Sequence, residues 1–293
     1  MHHDARFLRD GLGTMRYASG EVYKGDWHVG QRSGRGEMIY GTDKTNRYIG
    51  SWMNSKKHGP GTFYFGNGDI FVGEWSRGNM HGRGQYIFAC GDSFIGFYSN
   101  GKKDHGDYYF TQNDTDYRGN WRDELFDGRG STRYSNNETY LGNWMQGKRH
   151  GRDSCYVWPS GSRFNGTFEH GQLRKGLYRS ANNMGEYEGS FVHGRRCGIG
   201  LARFDDGSVY RGQFQHDRMH GSGSYKFPCG SLYIGNYVKN KRDNPRRLRE
   251  YPIQRCRFSG HGWGLLKDQT GEVIYQGIFV DGQPRDECVG NTS

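Results

Sequence analysis

The residues able to do chemistry recur along the chain instead of converging. His58, His81, His105, His150 and His220 each precede a glycine. A metal centre needs several ligands brought together and held by a supporting shell. A linear array spreads its histidines apart, so the reading is a shared turn or packing position. The stretch "GLGTMRYASG" has the glycines of a phosphate-binding loop. It lacks the strand–loop–helix setting and the closing Gly-Lys-Ser/Thr that such a loop requires. Asp205-Asp206 and Asp286-Glu287 are adjacent carboxylates, which a strand would send to opposite faces. No Cys–His or Ser–His pair stands out. The expectation is a chain with no catalytic centre, no metal and no cofactor.

Basic pairs are the more telling pattern. Lys56-Lys57, Lys102-Lys103, Lys148-Arg149, Arg195-Arg196 and Lys241-Arg242 fall at one place in a repeating frame, with Arg246 and Arg247 shortly after the last. They predict a basic edge. Glu21, Asp43, Asp69, Asp92, Asp114, Glu138 and Asp206 fall at another place in the frame and predict an acidic edge on the opposite side.

The frame is an aromatic-x-Gly-x-aromatic unit. It begins at Tyr23, Tyr48, Phe71, Phe94, Tyr117, Tyr140, Phe164, Tyr187, Tyr210, Tyr233 and Tyr275, with most steps 23 residues long. Residues i, i+2 and i+4 of a strand share a face, so Tyr23, Gly25 and Trp27 point the same way. Each unit follows a second alternating run, such as Gly59, Gly61, Phe63, Phe65. Turn signals such as Asn67-Gly68 and Asp206-Gly207 separate the two. A three-residue loop with a left-handed glycine would set Met15 opposite Tyr23 and Gly13 opposite Gly25. All rings then fall on one face, and glycine between two rings leaves room for a ring of the neighbouring strand to lie across it.

A lone hairpin is marginal in water, but stacked hairpins bury a continuous stripe of rings. The predicted fold is all-β: an elongated single-layer antiparallel sheet of about eleven stacked hairpins, right-hand twisted and on the order of 100 Å long. The composition agrees. Of 293 residues, 49 are glycine and 15% aromatic, while only 32% are apolar. That is too ring-rich for a disordered chain and too poor in aliphatics for a wide core. No stretch reaches the roughly 20 apolar residues of a spanning helix, and the N-terminus lacks the apolar region of a secretory signal. Six scattered cysteines predict free thiols in a reducing compartment. The net charge of +10 permits acidic partners without choosing among them.

The units "YKGDWHVGQRSGRG", "YIGSWMNSKKHGPG", "FVGEWSRGNMHGRG" and "YLGNWMQGKRHGRD" resemble the MORN repeat family, from about Gly11 to Gly282. Departures lie at Asp123–Gly128, at Gln172–Gly176 and in the basic stretch "NKRDNPRRLREYPIQRCR". The expected organisation is therefore a ten-hairpin array over 1–239, a basic insertion over 240–258, and a degenerate hairpin with tail over 259–293. The resemblance extends to MORN-only proteins of cilia, radial spoke heads included. It implies a non-enzymatic scaffold in a ciliary or flagellar axoneme, in the cytoplasm and on the cytoskeleton. Its partners would be other proteins of a large assembly, with self-association through open sheet edges, and no nucleic acid. The alternative is a peripheral protein binding anionic phospholipid through the basic edge, or an adaptor between cytoskeleton and membrane. The candidate partner-binding aromatic face is Tyr23, Trp27, Tyr48, Trp52, Phe71, Trp75, Phe94, Tyr98, Tyr117, Trp121, Tyr140 and Trp144.

Overall fold

The computed structural model describes residues 8–42, 45–181, 185–240, 262–280 and 283–284. Two compact units divide the chain, Met1–Lys148 and Arg149–Ser293. In each, successive strands pair antiparallel with their chain neighbours in a single open layer. The described residues contain 23 strands and no α-helix; one 3-10 turn lies at Thr111–Asn113. The expected eleven hairpins account for all strands but the two-residue Gln283–Pro284.

Each hairpin joins a glycine strand to a ring strand. Gly11–Arg16 leads to Val22–His28, and Lys56–Tyr64 leads to Ile70–Ser76. The register is the expected one: Met15 faces Tyr23 and Gly13 faces Gly25. Three-residue loops close these hairpins. Around Gly68, for instance, the Phe65 amide donates to the Asp69 carbonyl (2.9 Å), and the Gly68 amide to the Phe65 carbonyl (3.0 Å). A different turn leads from each ring strand into the next glycine strand. It has two residues, both with positive φ, such as Asn54 (50°) and Ser55 (62°). That geometry matches strand twist.

The physical centre of the fold is a row of glycines facing one another, Gly25 with Gly36, Gly36 with Gly50, Gly50 with Gly61, Gly61 with Gly73, with the buried Ser154 taking the place in Lys148–Val157, opposite Gly166. The first ring of each ring strand lies along its own strand over this row. Tyr23 covers Gly25 two residues on and Gly36 across the ladder, and its hydroxyl donates to the Asp26 carbonyl (2.9 Å). Tyr48 and Tyr117 do the same toward Ser51 and Asn120. The covering ring of Gly25 is thus its own strand's, not only a neighbour's as the spacing implied. The second ring covers the glycine behind it. Trp52 and Trp75 donate their indole N–H to the carbonyls of Gly36 (3.2 Å) and Gly61 (3.3 Å).

The two rings of a unit meet edge to face, with centroids 5.1 Å apart for Tyr23–Trp27 and 5.3 Å for Phe71–Trp75. This is the favoured geometry of an aromatic pair. Rings of the glycine strands form a second zigzag beside them, through Tyr40, Phe63, Phe65, Tyr86, Phe88, Tyr108 and Phe110.

Candidate protein-binding surface

The predicted aromatic face is the core. Tyr23, Tyr48, Phe71, Phe94 and Tyr117 are 0% exposed, and Tyr140 nearly so. Trp27, Trp52, Trp75, Tyr98, Trp121 and Trp144 are also buried. These twelve side chains sit within the chain's own packing, so the expectation that they present unburied rings to a partner is corrected. A one-layer sheet must cover its apolar face. Part of that cover comes from the glycine strands, whose second residue folds back onto the rings.

The same fact corrects the basic edge. Adjacent residues of a strand face opposite ways, and each pair is split. Lys56, Lys102, Lys148 and Arg195 are exposed, whereas Lys57, Lys103, Arg149 and Arg196 turn onto rings. Lys102 is itself paired with Asp123 at 2.6 Å. Lys241, Arg242, Arg246 and Arg247, with all of the basic insertion after Asn240, lie outside the described residues, as does Asp43.

The acidic edge is partly consumed in holding hairpins together. Asp69 is buried and accepts bonds from the Ala89 amide (2.8 Å), the Tyr86 hydroxyl (2.8 Å) and Asn67 Nδ2 (2.9 Å). Desolvation raises its pKa, but these bonds outweigh that and leave it lowered. Asp92 receives the Thr111 amide (2.9 Å) and the Tyr108 hydroxyl (3.2 Å), and its pKa is also lowered. Glu138, Asp114 and Asp206 occupy local turn positions. The five histidines flank a bulge, where for example His58, Gly59 and Pro60 oppose Ser51 alone. Among the described residues no three His, Cys, Asp or Glu side chains group as a metal site.

What is exposed is the other face. In unit 1 the residue after the first ring is Lys24, then Ile49, Val72 and Ile95 at 41%, 46% and 46% exposure, then Arg118, then Leu141 at 50%. Beside this row runs a trough of about 1010 Å³. Its floor is the backbone of Gly25, Gly36, Gly50, Gly61 and Gly73, and its walls include Ile49, Val72, Pro60 and Thr62. Lys24, Arg35, Glu37 and Glu74 supply charge of both signs along the rim. On the ring side this glycine row has no room for side chains. A Cβ on Gly73 would stand 2.6 Å from both Gly84 Cα and Phe71 Cζ. Sequence reasoning passed over this surface, although the 23-residue recurrence of Ile49, Val72 and Ile95 carried the signal. In unit 2 the same positions hold Asn165, Glu188 and Arg211 before Ile234.

A ladder of hairpins built on a glycine row, with rings buried on one side and an open trough on the other, defines a repeat protein of the binding-scaffold kind. The profile of the MORN repeat matches residues 8–22, 23–44, 48–70, 71–93, 117–139, 140–152, 187–209 and 210–231, together more than half of the chain. The chain belongs to the MORN repeat family. It is similar to MORN repeat-containing protein 3 of Xenopus laevis, with 41% identity over 63 residues. That match covers 20% of this chain and spans about a quarter (26%) of the relative's length. Among solved structures it is similar to the TCP10 domain of Danio rerio CPAP, with 14% identity and a TM-score of 0.38 over 80% of this chain and 95% of that one. It is also similar to the SAS-4 TCP domain of Drosophila melanogaster, with 13% identity and a TM-score of 0.29 over 60% and 83%. The stretches outside the profile include 94–116 and 153–186. There the structure still has strands Ser93–Ser99, Lys102–Phe110, Arg163–Glu169 and Gln172–Arg179. Two of these glycine strands lack the left-handed glycine of the His-Gly bulge: Gly106 has a nearly extended φ of 159°, and Gln172–Arg179 is one residue short.

Proposed function

We propose that the chain is a non-enzymatic scaffold that docks partner polypeptides in the outer trough of unit 1. The observation that carries this is the exposed aliphatic row beside a glycine-floored trough, on a molecule whose repeat-unit rings are buried. Contiguous exposed apolar surface rimmed by polar groups marks interaction sites. An extended segment suits a trough that runs across successive strands. The assembly we assign it to is a ciliary or flagellar axoneme, a radial spoke head among its candidate locations. The support is the likeness of the repeats to MORN-only ciliary proteins.

The test uses a tagged chain in a flagellated cell, compared with the triple variant Ile49→Asp/Val72→Asp/Ile95→Asp. The wild type is expected to stay with the detergent-extracted axoneme. The triple variant, with an unchanged β-sheet spectrum by circular dichroism, is expected to leave it. Loss of all wild-type signal with the membrane overturns the axonemal assignment, and equal retention of both forms overturns the trough. A second reading, binding of anionic phospholipid, rests on the exposed members Lys56, Lys148 and Arg195. Liposome co-sedimentation of a chain with all three changed to glutamate decides it.

A further inference from the structure

Five cations at the second position of a glycine strand lie on the ring layer. Arg32 Cζ is 4.6 Å from the Trp52 ring, Lys103 Nζ 5.0 Å from Trp121, Arg149 Cζ 4.8 Å from Tyr156, and Arg196 Cζ 5.4 Å from Phe214. Lys57 comes closest to a ring. Its ammonium is 3.8 Å from Trp75, 4.4 Å from Phe63 and 5.6 Å from Tyr48.

Four of the five also find an acceptor, always in the second residue of the two-residue turn one hairpin further on. Arg32 Nη2 donates to the Ser55 carbonyl (2.8 Å), Lys103 Nζ to the Glu124 carboxylate (2.6 Å), and Arg149 Nη2 to the Gly171 carbonyl (3.4 Å). Arg196 Nη2 donates to the Asp217 carbonyl (2.8 Å) beside that residue's carboxylate. At Lys57 the corresponding residue is Gly78, whose amide donates to the Lys57 carbonyl (2.9 Å). No acceptor for Lys57 Nζ occurs among the described residues. Gly78 has no side chain, and nothing lies within 4 Å of where its Cβ would be. The turns on either side, Asn54-Ser55 and Arg77-Gly78, carry no carboxylate, and Arg77 is exposed. The rings attract a cation but do not neutralise it. Burial accordingly pushes the Lys57 ammonium down to about 8.

We propose that the open turn Arg77-Gly78 over Lys57 receives the carboxylate of an acidic side chain from a partner polypeptide, in the place that Glu124 fills over Lys103. A single ammonium walled by three rings fits one carboxylate, as the Lys103–Glu124 pair shows within the same unit. Arg77, the exposed neighbour of Gly78 in the same turn, supplies attraction that steers an acidic segment to it. The site lies on the ring side of the sheet and the trough on the other, so either can fail without the other.

The experiment follows the Lys57 side chain by NMR titration in the full chain carrying ¹³C-labelled lysine. The probe is a synthetic peptide of alternating glutamate and glycine. Inorganic phosphate, and phosphatidylcholine vesicles containing phosphatidylserine, form separate arms. The peptide is expected to raise the Lys57 midpoint by about one pH unit or more, because a nearby anion favours the charged form. Lys57→Met, which keeps a long apolar stem on the rings, is expected to weaken peptide binding roughly tenfold. Gly78→Glu is expected to raise the midpoint without peptide and abolish the peptide's further effect. The proposal is overturned by a midpoint that the peptide leaves unmoved, or by Lys57→Met binding it as well as wild type. It is also overturned by phosphate or vesicles moving the midpoint as far as the peptide does. The wild-type titration stands whether or not either variant folds.

Discussion

The ring layer from Tyr40 to Phe110 and the ring layer from Trp158 to Phe204 follow one plan with different completeness. In the first, glycine-strand rings touch without a break, with centroids between 4.3 and 5.7 Å apart. In the second, Trp158 meets Tyr178 at 5.6 Å, and then the chain of rings stops. Ser180 stands where Phe65, Phe88 and Phe110 stand in unit 1, and Ala202 where Phe63, Tyr86 and Tyr108 stand. A hollow of about 570 Å³ opens there, walled by Trp158, Tyr178, Tyr187, Phe191 and Phe204. Yet the strands on both sides keep their register, with Gly176 facing Gly189 and Gly189 facing Gly200. The glycine row, with Ser154 standing in once, runs on where the outer rings are broken, and those rings add stability to it.

The sharpest way to break that conclusion is to fill the row. A Cβ at Gly96 would meet the His105 carbonyl, with Phe94 Cζ at 2.6 Å and Gly106 Cα at 2.7 Å. Backbone cannot swing aside. Gly96→Val is expected to cost roughly 3–5 kcal/mol, at the top of what overpacking produces. Urea denaturation measures it, and a loss below about 1 kcal/mol would show that the row is not the organising element.

Next in size is converting the complete layer into the broken one. Phe65 is half-buried and touches Phe63 at 4.4 Å and Tyr86 at 5.5 Å. Phe65→Ser is expected to cost about 2 kcal/mol, less than the loss of a fully buried ring, and to leave the strand pairing intact by amide exchange. Asp69→Asn should cost less, about 1 kcal/mol, through weakened bonds to Ala89, Tyr86 and Asn67. It also has a pH signature. The folded carboxyl lies below its ordinary value, so its contribution is present above the ordinary carboxylate range and lost as pH falls through the lowered value. The gap between wild type and Asp69→Asn should therefore close on acidification. Unit 2 offers the control, since Ser162 accepts from the Ala181 amide (3.3 Å) at the matching turn without a titrating group. The reverse repair is smaller still: Ser180→Phe, restoring a ring in the hollow, should stabilise by about 0.5–1 kcal/mol.

Much of this plan was legible. A period of two inside a period of 23 fixes strands, hairpins and register together, which is why the spacing alone sets Gly13 opposite Gly25. The basic pairs were misread for want of the same rule. Neighbours in a strand face opposite ways, and Lys56 and Lys57 obey that. Which ring covers which glycine was not legible, because the pattern gives a face but not a side-chain direction. Tyr23 bends along its own strand only because Gly25 and the Asp26 carbonyl together make that course open and bonded. The hollow at Ser180 and Ala202 could be seen in sequence as missing rings, yet its effect depends on what neighbours fill.

The smallest expected effect separates stability from binding. Ile95 adjoins Gly96 in the strand Ser93–Ser99 but faces outward, nearly half exposed at 46%. Its cross-strand neighbours are Gln85 and Asp107, so its removal empties no core. Ile95→Thr keeps the β-branched shape that suits a strand and is expected to change stability by less than about 0.5 kcal/mol. The same change removes apolar surface from the row that continues from Ile49 and Val72, and so should weaken the docking proposed for that face. Two residues one bond apart would then divide the molecule's work, Gly96 holding the sheet and Ile95 presenting it. If Ile95→Thr instead unfolds the chain at lower urea, the outer face is part of the core and the trough cannot be its binding surface.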